Sequence, residues 1–347
     1  MRDIVVFSGS SNEPLAKRIC KNLSLPQGKV LLKKFANGET SVQLETSVRE
    51  KDVFIIQSGA GSVNDYLIEL LLMISACKMA SAKRISVLMP LFFYSRQLDM
   101  PAVRNGDFLK SANPTTTLND ETDDDALKPW VAQNGTLVAN LLTSAGANHI
   151  LTMDLHDFQY QGFFDIPFDN MYSKQLVQYY ISNYIEGYKD CVIVSPDAGG
   201  AKRAAAIADS MSLSFALVHK ERRMNTNTDL SMLVGDVSDK KCVIVDDLVD
   251  TAGTLLKCGK LLKEKGATEV YAIVTHGVFS GDAIEKIEKS GVFTKIITSN
   301  TVDQTKRLAN DENKVKNDVL DVSRIFAEAI RRINNGESVS VIYNCKI

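Results

Sequence analysis

Short β-branched runs recur along the chain at residues 4–7, 53–57, 85–90, 150–154, 191–195, 215–219, 242–246 and 270–275. Helical patterns at 14–23, 64–80, 136–145, 200–210 and 254–265 lie between most of them. Strands that alternate with helices pair in parallel, because each crossover helix returns the chain to the same end of the sheet. The pattern therefore predicts an α/β fold of mainly parallel sheets flanked by helices on both faces. In such sheets ligands bind beyond the carboxyl ends of the strands, which is where Asp154, Asp197 and Asp247 fall. A chain of 347 residues is too long for one ordinary core and suits two domains. The break is expected near 172–174, giving an N-terminal domain over 1–172, rejoined by 336–347, and a C-terminal domain over 173–335.

With 45% apolar and 24% charged residues and a formal net charge of -2, the composition is that of a compact enzyme and argues against broad attraction to nucleic acid or anionic membrane. Cys20, Cys77, Cys191, Cys242, Cys258 and Cys345 show no C-x-x-C spacing and read as reduced core residues of a cytoplasmic protein. Residues 1–10 lack the apolar stretch of a signal peptide, and the most apolar segment, 66–80, is interrupted by Glu69 and Lys78. One segment breaks the alternation: residues 98–128 have little apolar periodicity, Pro and Asn punctuation and an acidic patch at 120–125, and read as a solvated insertion.

The richest chemistry lies at 243–254, VIVDDLVDTAGT, an apolar strand that runs into Asp246, Asp247 and Asp250 and then into a turn opening a helix. Three carboxylates crowded into five positions repel one another unless ligands, cations or metals satisfy them. They offer acceptors for vicinal hydroxyls. The turn formed by Thr251, Ala252, Gly253 and Thr254 offers hydroxyls, backbone N–H groups and a helix N-terminus, which suit a phosphate dianion. A sugar phosphate fits both halves. Residues 195–203, SPDAGGAKR, repeat the strand-turn-helix logic: Gly199 and Gly200 allow close backbone approach to a pyrophosphate, and Asp197 can reach a Mg²⁺ on that ligand. Asp154 and His156 follow another apolar strand, with Asp165 and Asp169 close behind, and read as magnesium-site candidates. Residues 219–223, HKERR, put Lys220 and Arg222 on a basic loop that can balance the charge of a transferring phosphoryl group. Residues 35–39, FANGE, and 94–97, YSRQ, hold the aromatic, amide, carboxylate and guanidinium types that bind ATP, although their spacing alone does not assign them. No Walker-type glycine loop is present, so an ATP site must be of another design.

Taken together, FANGE, SVRE, MDLH, QGFFDIPFDN, VSPDAGGAKR, HKERR, VGDV, VIVDDLVDTAGT, THGVFSG, AEAIRRI and the closing SVS resemble ribose-phosphate pyrophosphokinases in the same order across nearly the whole chain. The resemblance implies two phosphoribosyltransferase-like domains, with a C-terminal strand over 338–343 rejoining the first. It also implies a reaction in which the 1-hydroxyl of ribose 5-phosphate attacks the β-phosphorus of MgATP and AMP leaves. By the same resemblance Asp246, Asp247, Asp250, Thr251, Ala252, Gly253 and Thr254 hold ribose 5-phosphate, and Lys220 and Arg222 stabilise the transition state. His156 and Asp197 serve Mg²⁺, with Asp154, Asp165 and Asp169 as weaker candidates. Phe35, Asn37, Glu39, Arg96 and Gln97 match ATP-binding positions, and Ser47, Arg49, Ser338 and Ser340 match a regulatory phosphate or ADP site. FANGE would reach a neighbouring subunit, so the active unit would be an oligomer, either dimers assembling to a hexamer or a hetero-oligomer with paralogous subunits.

The chain departs from that pattern in three places. Leu98, Asp99 and Met100 stand where the family carries Asp-Lys-Lys, the insertion replaces a short loop before a Lys-containing helix start, and Phe158 replaces a small residue. All three touch the ATP and regulatory region. They leave a second reading, a regulatory or scaffolding subunit with little activity alone, against which the intact HKERR and DDLVDTAGT segments weigh. A phosphoribosyltransferase that consumes the product would explain DDLVDTAGT but not HKERR, FANGE or the duplicated domain.

Overall fold

The computed structural model describes residues 3–96, 132–222, 229–305 and 316–343. The 98–128 insertion, Gln97 and Cys345 lie outside the described residues, as do the side chains of residues 220–222.

The expected α/β architecture is present as two separate sheets. The first runs β1 (Ile4–Ser8), β4 (Asp52–Ile56), β5 (Arg84–Met89), β6 (His149–Met153) and β7 (Phe168–Met171), in that spatial order and all parallel. On one face lie α2 (Val63–Met79) and α3 (Asn134–Ala145), which bury Leu70, Met73, Ile74, Val138 and Leu142 against Val53, Ile55, Ile85 and Val87. On the other lies α1 (Glu13–Leu23), whose N-terminus is capped by the Asn12 side chain accepting from the Leu15 N–H.

The second sheet has seven strands, ordered β10 (Asp229–Val234), β9 (Ser214–Arg222), β8 (Val192–Ser195), β11 (Lys241–Val249), β12 (Glu269–Gly277), β13 (Lys295–Ser299) and β14 (Lys316–Leu320). Only the β9–β10 hairpin at its edge is antiparallel. Helices α4 (Lys174–Tyr184) and α5 (Ala201–Met211) cover one face, while α6 (Gly253–Glu264) and α7 (Ala283–Ser290) cover the other. The five cysteines among the described residues are free and buried, as expected of small apolar core groups, and burial pushes the Cys77 and Cys242 thiols up to about 12.

Three expectations change. Residues 338–343 do not form a strand: Val339–Tyr343 is a 3-10 turn, which packs Val339 and Ile342 onto the first core. The chain also returns to the first sheet earlier than residue 336. Helix α8 (Ser323–Asn335) places Ile325, Phe326, Ala329, Ile330 and Ile333 on one face, a spacing that matches the helical repeat, and lays that face against α1. Arg84 clips the end of this helix, donating to Asp52 Oδ2 at 2.7 Å and to the Ile333 carbonyl at 3.1 Å. HKERR is likewise no loop as far as Arg222, because β9 runs through it, pairing Lys220 with Ser231 and Arg222 with Asp229.

The two sheets meet across a polar seam. The Asn12 side chain donates to the Asn300 carbonyl at 2.9 Å, and Ser58 Oγ donates to the Thr301 carbonyl at 2.7 Å. A small apolar contact of Ala60, Leu91 and Val302 completes it. If α8 belongs energetically to the first core, Phe326→Ala should lower unfolding stability by about 3–5 kcal/mol through the cavity it leaves. Urea titration of the variant checks this, and a loss under about 1 kcal/mol would show that the helix is only loosely docked.

Candidate active site

A cleft of about 510 Å³ opens at the carboxyl ends of β8 and β11 and is lined by residues from two separate stretches of the second half, 197–203 and 246–255, together with Arg96, His156 and Asp157 from the first. Its floor is Asp246 and Asp247. Both stand where β11 still pairs with β12, Asp246 opposite Val274 and Leu248 opposite His276, so the carboxylates are fixed by the ladder. The Asp247 N–H donates to Asp246 Oδ1 at 3.0 Å.

The crowding read in the sequence is met by two side chains, the Arg203 guanidinium and the His156 imidazole. Arg203 Nη1 lies 2.9 Å from Asp247 Oδ1, and His156 Nδ1 lies 2.7 Å from Asp247 Oδ2, so each oxygen of the buried carboxylate has a positive or polar partner. Burial works to raise the Asp247 pKa, but the His156 hydrogen bond and the Arg203 charge outweigh it and hold this carboxyl well below the usual range. Asp246 is pushed the other way, first by burial and then by the Asp247 charge. The hydrogen bond to Asp247 raises the His156 pKa against the opposing effect of its own burial. Two neighbouring carboxyls are thereby driven apart, one ionised acceptor and one that more readily keeps its proton.

Two helix N-termini face this floor. Thr251, Ala252, Gly253 and Thr254 line the cleft as the chain turns into α6, with Ala252 in the left-handed region at φ 61. That conformation turns successive N–H groups toward one side and favours an anion there. Gly199 and Gly200 line the opposite wall before α5, where the Gly200 N–H donates to Asp197 Oδ1 at 3.1 Å. A side chain at Gly200 would bring its Cβ to 3.1 Å from Ser195 Oγ at the end of the preceding strand, so glycine suits this tight strand-to-helix turn. Asp250 closes the rim through an ion pair with Arg96 from the first half, and Arg96 and Ser280 hold its pKa down against the effect of burial.

The remaining sequence-predicted residues fall in different places. Asp154 is buried and already engaged, accepting from Thr275 Oγ1 at 2.7 Å and from the Ser173 N–H at 3.2 Å. Asp169 pairs with His149 at 2.9 Å, and Asp165 is exposed; neither they nor Asp154 line the cleft. Phe35, Asn37 and Glu39 form the tip of the hairpin made by β2 (Val30–Lys34) and β3 (Thr40–Leu44) and also lie outside the cleft, with Phe35 60% exposed. Ser47 and Arg49 are exposed beside β4, and Ser338 and Ser340 share a hydroxyl hydrogen bond of 2.7 Å. Phe158 is half exposed and leans on Tyr172, with ring centroids 6.5 Å apart. At the helix start that departs from the family pattern, Gly135 packs tightly, since a Cβ there would lie 2.5 Å from Tyr160 and 2.7 Å from Phe163. Arg203 is the site residue that sequence reading missed. Its signal was its position, three residues after Gly200 in the first turn of a phosphate-type helix.

The donor set fits Mg²⁺ bound largely by substrate oxygens. Among the described residues no group of three or more His, Cys, Asp or Glu converges as a closed metal cage. Asp197 and His156 nevertheless line the cleft, and a cation that retains waters and phosphate oxygens needs only one or two protein groups.

The His156–Asp247 pair has a definite pH signature. A raised imidazole pKa stabilises the fold fully below the ordinary histidine value of 6.5, and the contribution is lost as pH rises through the raised value; a depressed carboxyl pKa stabilises above the ordinary aspartate value of 3.8. The melting-temperature gap between the unmodified chain and His156→Gln should therefore be widest between those two values and narrow on the alkaline side. A gap that widens above neutral pH would contradict the pairing.

Comparison with known proteins gives a consistent picture. The family model described as the N-terminal domain of ribose phosphate pyrophosphokinase matches residues 4–106, and the phosphoribosyl synthetase-associated domain matches residues 227–344. Ribose-phosphate pyrophosphokinase 5 of Schizosaccharomyces pombe is 51% identical over 348 residues, spanning 99% of this chain and 98% of the relative. The crystal structure of phosphoribosylpyrophosphate synthetase from Mycobacterium smegmatis superposes with a TM-score of 0.81 at 33% identity, covering 96% of this chain and 100% of the other.

Proposed function

The chain belongs to the ribose-phosphate pyrophosphokinase family, and on that premise we propose that it transfers the β,γ-pyrophosphoryl group of ATP to the 1-hydroxyl of ribose 5-phosphate. The observation that carries the reading is the pairing, in one cleft, of a buried carboxylate floor with two helix N-termini. Ionised Asp247 accepts from one ribose hydroxyl, and Asp246, with its raised pKa, can donate to or accept from the other. Thr251 to Thr254 bind the 5-phosphate, and the wall at Gly199 and Gly200 takes the phosphates that transfer. The O1–Pβ bond forms as the bond from Pβ to the α,β-bridging oxygen breaks, AMP departs with that oxygen, and the proton of the 1-hydroxyl passes to water.

Phosphoryl transfer of this kind depends on positioning and charge neutralisation more than on covalent chemistry. Lys220 and Arg222 supply positive charge from the β9–β10 hairpin. Asp197 and the free Nε2 side of His156 would hold Mg²⁺, which when bound with the ATP phosphates offsets their charge. Phe35, Asn37 and Glu39 stand on an exposed hairpin tip away from their own cleft. We assign them to ATP in the cleft of a neighbouring chain of an oligomer, and Arg96 and Gln97 to ATP as well, with Arg96 lining the cleft of its own chain. Ser47, Arg49, Ser338 and Ser340 are assigned to a regulatory anion.

No helix among the described residues is long and apolar enough to cross a membrane. The regulatory-subunit alternative is not favoured, since a 51% identical relative bears the enzyme's name over almost its full length.

Asp247→Asn should raise the KM for ribose 5-phosphate by about tenfold or more, one well-made hydrogen bond to a charged group, while the KM for ATP shifts by less than about threefold. Initial rates of AMP release with each substrate varied in turn test this. An unchanged ribose 5-phosphate KM with a collapsed ATP KM would sink the assignment. Lys220→Ala should cut kcat by about a hundredfold or more with unaltered folding, because a cation on the transferring group acts in the transition state.

A further inference from the structure

Two consecutive residues of β12, Thr275 and His276, reach across the seam and grip two consecutive residues at the end of β6. Thr275 Oγ1 donates to Asp154 Oδ2 at 2.7 Å while accepting from Ser173 Oγ at 2.9 Å. His276 Nε2 lies 2.9 Å from the Met153 carbonyl, and its Nδ1 lies 2.9 Å from Thr301 Oγ1. A carbonyl can only accept, so Nε2 carries the hydrogen. Nδ1 of the neutral ring then accepts from the Thr301 hydroxyl, while Ser299 Oγ donates to the Thr275 carbonyl at 2.7 Å. At 2% exposure His276 has no route to substrate, and neither Thr275 nor His276 lines the cleft.

What the grip fixes is the segment that delivers His156. Asp154 is held in the left-handed region at φ 40, a conformation unfavourable for a side chain unless its surroundings impose it. Leu155 is buried, and its N–H donates to Asn170 Oδ1 at 3.1 Å. The next residue is His156, 2.7 Å from Asp247. On the other side of His276, β12 pairs with β11 so that His276 stands opposite Leu248, one residue beyond Asp247. One side chain therefore ties the backbone that carries the imidazole to the strand that carries its carboxylate partner.

We propose that His276 is a positioning residue for the transfer reaction, holding the Met153 carbonyl so that His156 meets Asp247 in the geometry that binds ribose 5-phosphate and the phosphates. This rests on the reading of His156 and Asp247 as site residues, and the test separates the two. His156→Ala, His276→Phe, His276→Gln and the double variant His156→Ala/His276→Phe are compared by kcat and KM in AMP release, with circular dichroism and melting curves on each.

The proposal expects His276→Phe, folded, to lose about tenfold or more in kcat, and His276→Gln, whose amide can still donate to the Met153 carbonyl, to recover most of it. Added to His156→Ala, the phenylalanine should cost less than about twofold more, because residues acting through one another are not additive. If His276→Phe does not fold, Thr301→Val, which keeps shape but removes the Nδ1 partner, carries the same test, with a loss of about threefold that vanishes in the His156→Ala background. Full kcat in folded His276→Phe, or losses that multiply independently of His156, would overturn the proposal. An unaffected His156→Ala would overturn the site reading beneath it as well.

Discussion

The buried carboxylate of Asp247, held between Arg203 and His156, is the interaction on which the site geometry depends. A carboxylate withdrawn from water beside another carboxylate keeps its charge only if cations stand against it. Here one partner, Arg203, comes from the first turn of α5 and the other, His156, follows the end of β6, so the pairing joins the two sheets at the cleft. Asp246 is left as the more readily protonated neighbour, which gives the floor both an acceptor and a group able to donate. The turns at Gly199–Gly200 and at 251–254 line the same cleft as a carboxylate already partnered on both oxygens.

The seam between the sheets serves that pairing. Its contacts are mainly hydrogen bonds at fixed angles: Asn12 and Ser58 on the carbonyls of residues 300 and 301, and Thr275 and His276 on Asp154 and Met153. Directional bonds of this kind fix relative position more tightly than an apolar contact of the same area, because a small slide breaks them and leaves buried groups unpaired. Asp154 belongs to this frame, which explains why a carboxylate at a strand's carboxyl end is not a lining residue of the cleft.

Much of this was legible in the chain. The apolar runs that became β1, β4, β5, β6, β8, β9, β11 and β12 are β-branched and bounded by turns, and the 243–254 segment announced the strand, the carboxylates and the helix start that meet in one cleft. What escaped includes whole elements of the second half, among them α4, α8 and the apolar strand β13, along with several short or polar strands. β7 and β14 carry Asp and Asn among few apolar residues, and β2 and β3 are strands of only five residues each that mix apolar and polar side chains. The strand expected at 338–343 failed because Val339 and Ile342 bury on the first core at helical spacing rather than alternating. Arg203, His276 and the structural duty of Asp154 depend on which strands become neighbours in space, and no local pattern announces that.

The account stands or falls on catalysis by this chain, and the direct test is AMP formation from MgATP and ribose 5-phosphate by the purified protein alone, with light scattering on the same sample. It predicts sustained turnover from an oligomer, since each cleft would borrow the exposed hairpin tip of a neighbour. A folded oligomer that binds ribose 5-phosphate and releases no AMP would contradict it.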